Sequence, residues 1–524
     1  EIGTRHAPRA LLADEVGLGK TIEAGMIIHQ QLLTGRSQRI LLIVPESLIH
    51  QWLVEMLRRF NLKFSIFNEE RLDQEETDNP FEAEQLILCS NTLFGESKDA
   101  CRLTLETSWD IVVIDEAHHE MWRSSEKAGE KSFAEKLAEQ AVGLLLLTAT
   151  PEQNSKTGHF ERLKLLDPDR FQDLKRFEKE QINFMKLGEL IEGVEAGNRP
   201  KNLPSDIDPS QEDETIVSQL IDRHGTGRIL MRNSRTKISG FPNRHLVRHS
   251  LDISSDLTEN TTNGNLQEAL YPHLKASNES WLRTDPRIKW LEDTLRRLSP
   301  DKVVVICSEA RTAIELEKHL HLRAGIRTAA FHENLSLIER DRAVAYFTDN
   351  LVGAQCLICS EIGSEGRNFQ FSHNLILFDL PLNPDLLEQR IGRLDRIGQD
   401  QDIKIHVPYV IGSAQHALLD WYEIGLSIFS GICPFGKEIF DRFQEQLEIM
   451  LVGNYEDLQN LCVETKNYAE ELTKKAQAGK DKLLERSSCR KGVAEQVIAE
   501  VHSEQNSEQL VTYLHQLCGA YGVD

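Results

Sequence analysis

The sequence predicts an α/β protein with two tandem parallel-sheet lobes, a mostly helical insertion between them and a helical C-terminal region. Short apolar runs of strand length alternate with helical stretches in two separate parts of the chain. This alternation is typical of a parallel sheet that is covered on both faces. A glycine-rich turn follows the first apolar run, which indicates that the first lobe carries a ligand site.

The first lobe is predicted to cover residues 1–165, and the insertion or linker residues 166–284. Strands of the first lobe are expected at Ala10–Ala13, Ile40–Val44, Gln85–Cys89, Ile111–Ile114 and Leu144–Leu147, with helices such as Ile22–Leu33 and His50–Phe60 between them. The insertion lacks strand–helix alternation, and its part Glu189–Glu214 mixes acids, prolines and glycine. That composition predicts an exposed connection.

The second lobe is predicted to cover residues 285–438. Its strands are expected at Val303–Cys307, Thr328–Phe331, Gln355–Cys359 and Leu375–Phe378, followed by a helix from Asn383. Cys356 and Cys359 form a C-x-x-C pair that is interpreted as two buried strand cysteines. Residues 439–524 are polar and rich in Glu, Lys and Gln, and are predicted to form a helical C-terminal region.

A glycine-rich loop joins the first strand to the first helix, and its residues are Asp14, Glu15, Val16, Gly17, Leu18, Gly19, Lys20 and Thr21. Two glycines two positions apart let successive backbone N–H groups converge on a point at a helix N-terminus, where a phosphate binds. Lys20 can then reach the β- and γ-phosphates of a nucleotide, and the Thr21 hydroxyl can hold Mg²⁺. Asp14 stands where the usual pattern has a glycine, so a glycine-rich turn of an unrelated fold is the alternative.

A second acidic motif follows the apolar strand Ile111–Ile114, and its residues are Asp115, Glu116, Ala117 and His118. Carboxylates at the C-terminal end of a buried parallel strand point into the crevice where such sheets bind ligands. We predict that Asp115 holds Mg²⁺ through its water shell and that Glu116 orients or deprotonates an attacking water. A structural carboxylate pair is disfavoured because burying it without a metal is costly. His118 and His119 lack the spacing of a zinc site.

The second lobe has no phosphate loop, but it carries Arg393 and Arg396. Both are predicted to lie on a helix, where two arginines three apart share one face. That face can supply guanidinium groups to a γ-phosphate bound on the other lobe. The alternative is that both arginines pair with acids of their own lobe, such as Glu388 or Asp395. An arginine pair of this spacing is common on protein surfaces. It indicates a role in catalysis only because the first lobe carries a phosphate loop.

Composition narrows the function classes. The formal net charge of −23 argues against a protein that coats nucleic acid. Between Ile221 and Ser250 there is nevertheless a basic stretch with Asp222 as its one acid, and its cations are Arg223, Arg228, Arg232, Arg235, Lys237, Arg244 and Arg248. This stretch could track a phosphate backbone, form a solvated face or form an inter-lobe salt-bridge network.

No apolar run approaches the roughly 20 residues that span a bilayer. Nine irregularly spaced cysteines favour reduced thiols in a cytosol, which predicts a cytoplasmic protein.

Seven segments occur in an order that carries a family resemblance. They are DEVGLGKT (14–21), LLIVPESLIHQW (41–52), DEAH (115–118), LTATPEQN (147–154), FHENLSLIERDRAVAYF (331–347), SEIGSEGRNFQ (360–370) and QRIGRLDRIGQ (389–399). The chain resembles superfamily-two helicase-like translocases, and the RIGQ ending at 396–399 resembles the Swi/Snf ATPases among them. This resemblance implies two RecA-like lobes that bind ATP and Mg²⁺. It also implies that Gly366 and Gln389 join the nucleotide site.

Residues 50–61, 231–244 and 359–399 are similar to the RNA polymerase-associated members of that family. This likeness implies an ATPase that acts on double-stranded DNA, binds RNA polymerase core or holoenzyme and promotes its release and recycling. A strand-separating helicase and a non-catalytic scaffold are the alternatives. A scaffold is disfavoured because it would not need all six of the intact residues Lys20, Thr21, Asp115, Glu116, Arg393 and Arg396. Because such members carry further domains, Glu1 and Asp524 are expected to be the ends of a fragment or a truncated gene.

Overall fold

Two parallel sheets organise the structure, which is a computed structural model. The residues that it describes are 2–15, 17–74, 78–115, 131–148, 156–175, 177, 194, 207, 216, 219–220, 229–233, 235, 240–252, 265–275, 279–361, 369–433, 435–453, 457–477, 491–505 and 508–522. The chain divides into one unit of residues 1–177 and 234–476, which holds both lobes, and another of residues 178–233 and 477–524.

Strands and helices alternate through both lobes. The described strands are β1 (Arg9–Leu12), β2 (Ile40–Val44), β3 (Ser65–Phe67), β4 (Leu86–Ser90), β5 (Ile111–Ile114), β6 (Gly143–Leu147), β7 (Leu230–Met231), β8 (Arg244–Leu251), β9 (Val303–Cys307), β10 (Thr328–Phe331), β11 (Cys356–Ser360), β12 (Asn374–Leu377) and β13 (Ile403–Val410). The described α-helices are α1 (Lys20–Leu33), α2 (Ile49–Phe60), α3 (Glu69–Gln74), α4 (Asn91–Glu96), α5 (Lys98–Glu106), α6 (Phe133–Gln140), α7 (Lys156–Leu166), α8 (Leu266–Leu270), α9 (Trp281–Thr284), α10 (Pro286–Leu298), α11 (Ala310–Leu322), α12 (Leu337–Thr348), α13 (Pro384–Ile391), α14 (Ala414–Asp420), α15 (Gly436–Val452), α16 (Leu458–Gln477), α17 (Lys491–Gln505) and α18 (Glu508–Tyr521). None of the described helices is long and apolar enough to cross a membrane.

The sheet of the first lobe has the strand order β3-β4-β2-β5-β6-β1. Each pairing in this series is parallel. Every residue of β2, β5 and β6 is buried, which explains why these strands are continuous apolar runs rather than alternating ones. Parallel pairing brings the C-terminal ends of β1 and β5 to the same edge of the sheet, where the phosphate loop and Asp115 follow.

The sheet of the second lobe has the order β10-β11-β9-β12-β13-β8, and all its pairings are parallel. Its central strands are buried, and so are Cys356 and Cys359. Burial raises the pKa of both thiols. The predicted interpretation of this C-x-x-C pair as buried strand cysteines is therefore confirmed, as is the fold class.

The segment predicted as a mostly helical insertion contains a strand that the prediction did not include. β8 pairs with β13 along eight residues, from Arg244 opposite Ile403 to Leu251 opposite Val410. The segment Arg244–Leu251 reads RHLVRHSL and is only partly buried, because it forms an edge and needs one covered face. Its polar letters hide the strand from a search for apolar runs. Most of the other residues in 166–284 lie outside the described residues. The same holds for nearly all of Glu189–Glu214.

Helices predicted beyond residue 439 are observed as α15 to α18. The core of the second lobe includes Phe440 and Leu447 of α15 and Leu461 of α16. Trp421 donates a hydrogen bond from Nε1 to Thr465 Oγ1 of α16 (3.1 Å). These two helices are therefore packed against the second lobe rather than held away from it.

Candidate functional site

The phosphate loop has the backbone that its glycines allow. Gly17 and Gly19 have φ angles of 87° and 93°. Residues that carry a Cβ rarely adopt this left-handed backbone conformation. α1 begins at Lys20, directly after the left-handed Gly19. Lys20 donates a hydrogen bond from Nζ to the carbonyl oxygen of Asp14 (3.0 Å). Thr21 is the second residue of α1, so its hydroxyl lies in the first turn of the helix.

A carboxyl pair joins the first residue of the loop to α1. Asp14 is 1% exposed, and Glu23 in the first turn of α1 hydrogen-bonds to it. Burial, followed by the negative charge of Asp14, raises the pKa of Glu23 to about 9, although the Lys20 ammonium opposes this. Glu23 is therefore protonated at neutral pH and hydrogen-bonds to the Asp14 carboxylate. The sequence analysis did not single out Glu23, because an acid in the first helical turn is an ordinary complement to the helix dipole.

Replacing Glu23 with glutamine is expected to weaken the pH dependence of stability. The folded state holds the Glu23 proton more tightly than the unfolded chain, so its contribution to the free energy of unfolding falls as pH rises from about 4.5 to about 9, by at most about 1.4 kcal/mol per pH unit. Glutamine can still donate to Asp14 but does not titrate. The free energy of unfolding, measured in urea at about pH 6 and about pH 8.5, should differ less between the two pH values in the variant than in the unaltered protein. An equal difference in both proteins would contradict the assignment of this proton to Glu23.

Asp115 directly follows β5 and is held in place by a tryptophan. Its side chain is 8% exposed, and its Oδ2 accepts a hydrogen bond from Trp52 Nε1 (2.8 Å). Its backbone N–H donates to the carbonyl oxygen of Ile43 in β2 (2.9 Å). Trp52 is fully buried in α2. The sequence predicts the carboxylate but not its tryptophan partner, because a tryptophan on the buried face of an amphipathic helix is most simply a core residue.

Five of the predicted site residues lie outside the described residues: Val16, Glu116, Ala117, His118 and Gly366. Their assigned roles stay predictions from the sequence. Leu18 lies within the loop, where its N–H donates to the carbonyl oxygen of Glu15 (3.3 Å). Gln389 lies on α13 with an exposed side chain, so its predicted role in nucleotide binding rests on the family likeness alone.

The expectation that Arg393 and Arg396 lie on a helix is wrong. α13 ends at Ile391, and the N–H groups of Leu394 and Asp395 both donate to the Ile391 carbonyl oxygen (3.1 and 3.0 Å). Gly392 ends the helix because glycine is a poor helix former. Arg396 Nε then donates to the Gly392 carbonyl oxygen (3.0 Å). The two arginines therefore belong to a turn after the helix, hereafter the arginine segment (residues 393–396).

The acids proposed as alternative partners for these arginines are engaged elsewhere. Asp395 is fully buried and accepts hydrogen bonds from Arg235 Nη1 (2.9 Å) and Arg244 Nε (2.6 Å). Glu388 Oε2 accepts from Arg244 Nη2 (2.9 Å). For the part of the basic stretch that the structure describes, Arg235 and Arg244 thus favour the salt-bridge network over a phosphate-backbone track. Arg223, Arg228 and Lys237 lie outside the described residues.

The phosphate loop touches the arginine segment directly. A Cβ added at Gly17 would lie 3.0 Å from the carbonyl oxygen of Asp395 and 3.8 Å from Cα of Arg396. The first distance is closer than a methyl group and an oxygen normally approach, so this contact requires a glycine in addition to the positive φ. Sequence analysis explained Gly17 by the phosphate alone. The structure adds a second reason, which is the close approach of the second lobe.

Two further interactions join the lobes through α2. The carboxylate of Glu55 in α2 attracts the Arg396 guanidinium, whose pKa is lowered by burial and raised again in part by that charge. His50, also in α2, contacts Asp341 of α12, with 3.0 Å between Nε2 and Oδ2. Arg390, by contrast, is buried on α13 and ion-paired with Glu361 and Asp379. Arg390 therefore has a structural role within its own lobe.

The whole chain is similar to known proteins. It is 45% identical to the RNA polymerase-associated protein RapA of Vibrio cholerae and 44% identical to that of Vibrio parahaemolyticus, each match covering 100% of this chain and 58% of the relative. Family models match in sequence order: the SNF2-related domain at residues 4–262, the helicase conserved C-terminal domain at 286–398 and the RNA polymerase recycling family C-terminal region at 402–524. The chain belongs to the SNF2 family. It spans 58% of the length of these curated SNF2-family relatives.

Two solved structures are also similar to this chain. The SWI2/SNF2 ATPase core of Sulfolobus solfataricus in complex with dsDNA is 18% identical, with a TM-score of 0.33, over 85% of this chain and 92% of that chain. The same core domain solved separately is 16% identical, with a TM-score of 0.32, over 84% of this chain and 89% of that chain. The resemblance to Swi/Snf ATPases predicted from the motifs is confirmed by the family models.

Proposed function

We propose that this chain is an ATP-driven motor that translocates on double-stranded DNA, binds RNA polymerase core or holoenzyme and promotes its release and recycling. The observation that carries the proposal is the contact of Gly17 with the Asp395–Arg396 backbone. A phosphate loop and an arginine segment from another lobe meet at one place, as a hydrolase with a trans-acting arginine requires. The names of the RapA relatives support the polymerase as partner.

The residues around the loop fit ATP with Mg²⁺. The left-handed Gly17 and Gly19 open a backbone cradle at the N-terminus of α1, and such a terminus binds anions. The Lys20 ammonium would hold the β- and γ-phosphates, while Thr21 and Asp115 would hold Mg²⁺. Bound Mg²⁺ would neutralise charge that develops on the transferred phosphoryl group.

Other side chains orient the Asp115 carboxylate, the attacking water and the γ-phosphate. Trp52 fixes the orientation of the Asp115 carboxylate by a hydrogen bond to one of its oxygens, and Asp115 would hold Mg²⁺ through its water shell. Glu116 orients the attacking water or accepts its proton. Arg396 and Arg393 place guanidinium groups against the γ-phosphate when the two lobes close. Hydrolysis is therefore coupled to lobe closure, which duplex DNA or the polymerase would drive.

Rates of ATP hydrolysis by the chain with and without duplex DNA and core polymerase test this proposal. We expect the rate to rise with one or both partners. An unwinding assay on a partial duplex distinguishes the alternative helicase, because a translocase leaves the strands paired. Absence of hydrolysis under all these conditions would favour the non-catalytic scaffold and contradict the proposal.

Glu116→Gln gives a sharper distinction from the scaffold. The amide has the same shape but cannot accept the water's proton, so nucleotide and Mg²⁺ should still bind while hydrolysis stops. The loss expected for a general base is about 10²- to 10⁴-fold. Filter binding of ATP and single-turnover hydrolysis measure the two effects separately. A variant that loses ATP binding but keeps its rate at saturation would show that Glu116 is not the base.

A further inference from the structure

Arg235 makes contacts to both halves of the proposed site. Its backbone N–H donates a hydrogen bond to Glu15 Oε2 of the phosphate loop (2.9 Å). Its guanidinium pairs with both carboxylate oxygens of Asp395 in the arginine segment. The Phe241 ring covers the guanidinium at 3.8 Å from the ring centroid. One residue between the lobes therefore contacts the loop through its main chain and the arginine segment through its side chain.

The ion pair is buried and its charges balance. The Arg235 side chain is 11% exposed and that of Asp395 is 1% exposed. Arg244 shares Asp395 and also pairs with Glu388, so two guanidinium groups face two carboxylates. A two-pronged guanidinium–carboxylate pair fixes orientation as well as distance, and removal of one partner leaves an uncompensated buried charge.

Asp395 lies between Arg393 and Arg396 in the chain, so its orientation sets the backbone from which both arginines project. We propose that Arg235 is a positioning residue that couples the phosphate loop to the arginine segment, an inference that rests on the proposed function. Through Asp395 it fixes the arginine segment, and through Glu15 it fixes the loop. It acts on hydrolysis through Arg396 and Arg393 rather than by touching the nucleotide.

The test compares Arg235→Gln with a matched control, Arg248→Gln. Arg248 also pairs with two carboxylates, Asp420 and Glu423, and its guanidinium also lies over an aromatic ring, 5.1 Å from the Tyr409 centroid. These partners all belong to the second lobe. Arg235→Gln should lower stimulated kcat by about 10- to 100-fold, as expected for a misplaced catalytic group, and should leave the Kd of ATP within about threefold. Arg248→Gln should leave both unchanged.

Arg235→Lys serves as the conservative variant. Lysine keeps the charge but not the two-pronged geometry, so kcat should recover in part. A purely structural role predicts instead that kcat per folded molecule is the same in all three variants, with only the thermal midpoint lowered. That result, or a loss of ATP affinity with kcat unchanged, would overturn the proposal.

A second readout separates this inference from the proposed function. Fluorophores introduced through unnatural amino acids at the exposed Met26 of α1 and Ile338 of α12 report the distance between the lobes by energy transfer. Arg235→Gln should broaden the distance distribution, and Arg248→Gln should not. If the wild-type chain hydrolyses no ATP, the proposed function fails while this measurement still decides the coupling. An unchanged distribution in Arg235→Gln would then contradict it.

Discussion

Replacing Arg396 with alanine is expected to lower stimulated ATP hydrolysis by about 10³- to 10⁵-fold, the range that trans-acting arginines contribute to phosphoryl transfer. Its Cα lies against the phosphate loop, so the side chain starts from the right place to reach a γ-phosphate. ATP affinity should change only a few-fold, because Lys20 and the loop backbone belong to the first lobe. Steady-state kinetics with DNA and polymerase, together with a nucleotide-binding titration, measure both quantities.

Stability must be measured beside the rate. Arg396 donates to the Gly392 carbonyl oxygen, so its removal could lower the thermal midpoint without touching catalysis. Arg102→Ala is a suitable control, because that exposed arginine pairs only with neighbours on its own helix among the contacts described for it. Arg393→Ala should act in the same direction as Arg396→Ala but less severely. An unchanged stimulated rate in Arg396→Ala would refute the two-lobe mechanism.

Replacing Lys20 with alanine is expected to abolish measurable hydrolysis, since the loss of one preorganised charge contact typically costs on the order of 10²–10³ in rate. Lys20 is the cation at the first position of α1, and its Nζ lies 3.0 Å from the Asp14 carbonyl oxygen. Its removal also takes away the charge that opposes the raised pKa of Glu23. The variant should therefore hold the Glu23 proton to still higher pH.

Single-turnover hydrolysis at saturating ATP gives the rate of the Lys20 variant, and pH-dependent unfolding reports Glu23. Lys289→Ala, on a helix of the second lobe, controls for the loss of a lysine in general. Near-normal turnover in Lys20→Ala would show that the loop does not bind the β- and γ-phosphates. The hydrolysis rate, the unfolding data and the Lys289→Ala control together distinguish loss of catalysis from loss of folding.

The parts of the fold that sequence could predict are those with local signals. The strands β2, β5 and β9 are continuous apolar runs, because both faces of a parallel sheet are covered. Gly17 and Gly19 predict a tight turn, because glycine readily adopts the positive φ angles that such a turn requires. Asp115 was placed correctly at the end of β5. Each of these features depends on neighbours within a few positions of the chain.

The parts that sequence missed depend on distant partners. Asp395 is paired with Arg235, 160 positions away, and with Arg244, 151 positions away. Those ion pairs hold residues 393–396 in a turn, whereas spacing alone suggested a helix. β8 was missed because its polar sequence becomes a strand only when β13 offers it hydrogen bonds. No local pattern contains that information.

The pairing of β8 with β13 also affects where this protein can be cut. Strand–helix alternation in the second lobe starts near residue 285, but the sheet is completed by a strand from residues 244–251. A polypeptide that starts at 285 would expose the backbone edge of the eight-residue strand β13 beside the apolar side chains of Ile403, Ile405 and Val407. Unprotected edges of this kind recruit strands from other molecules. Excision of the second lobe at residue 285 would thus yield a self-associating product, whereas a cut before Arg244 would keep the edge covered.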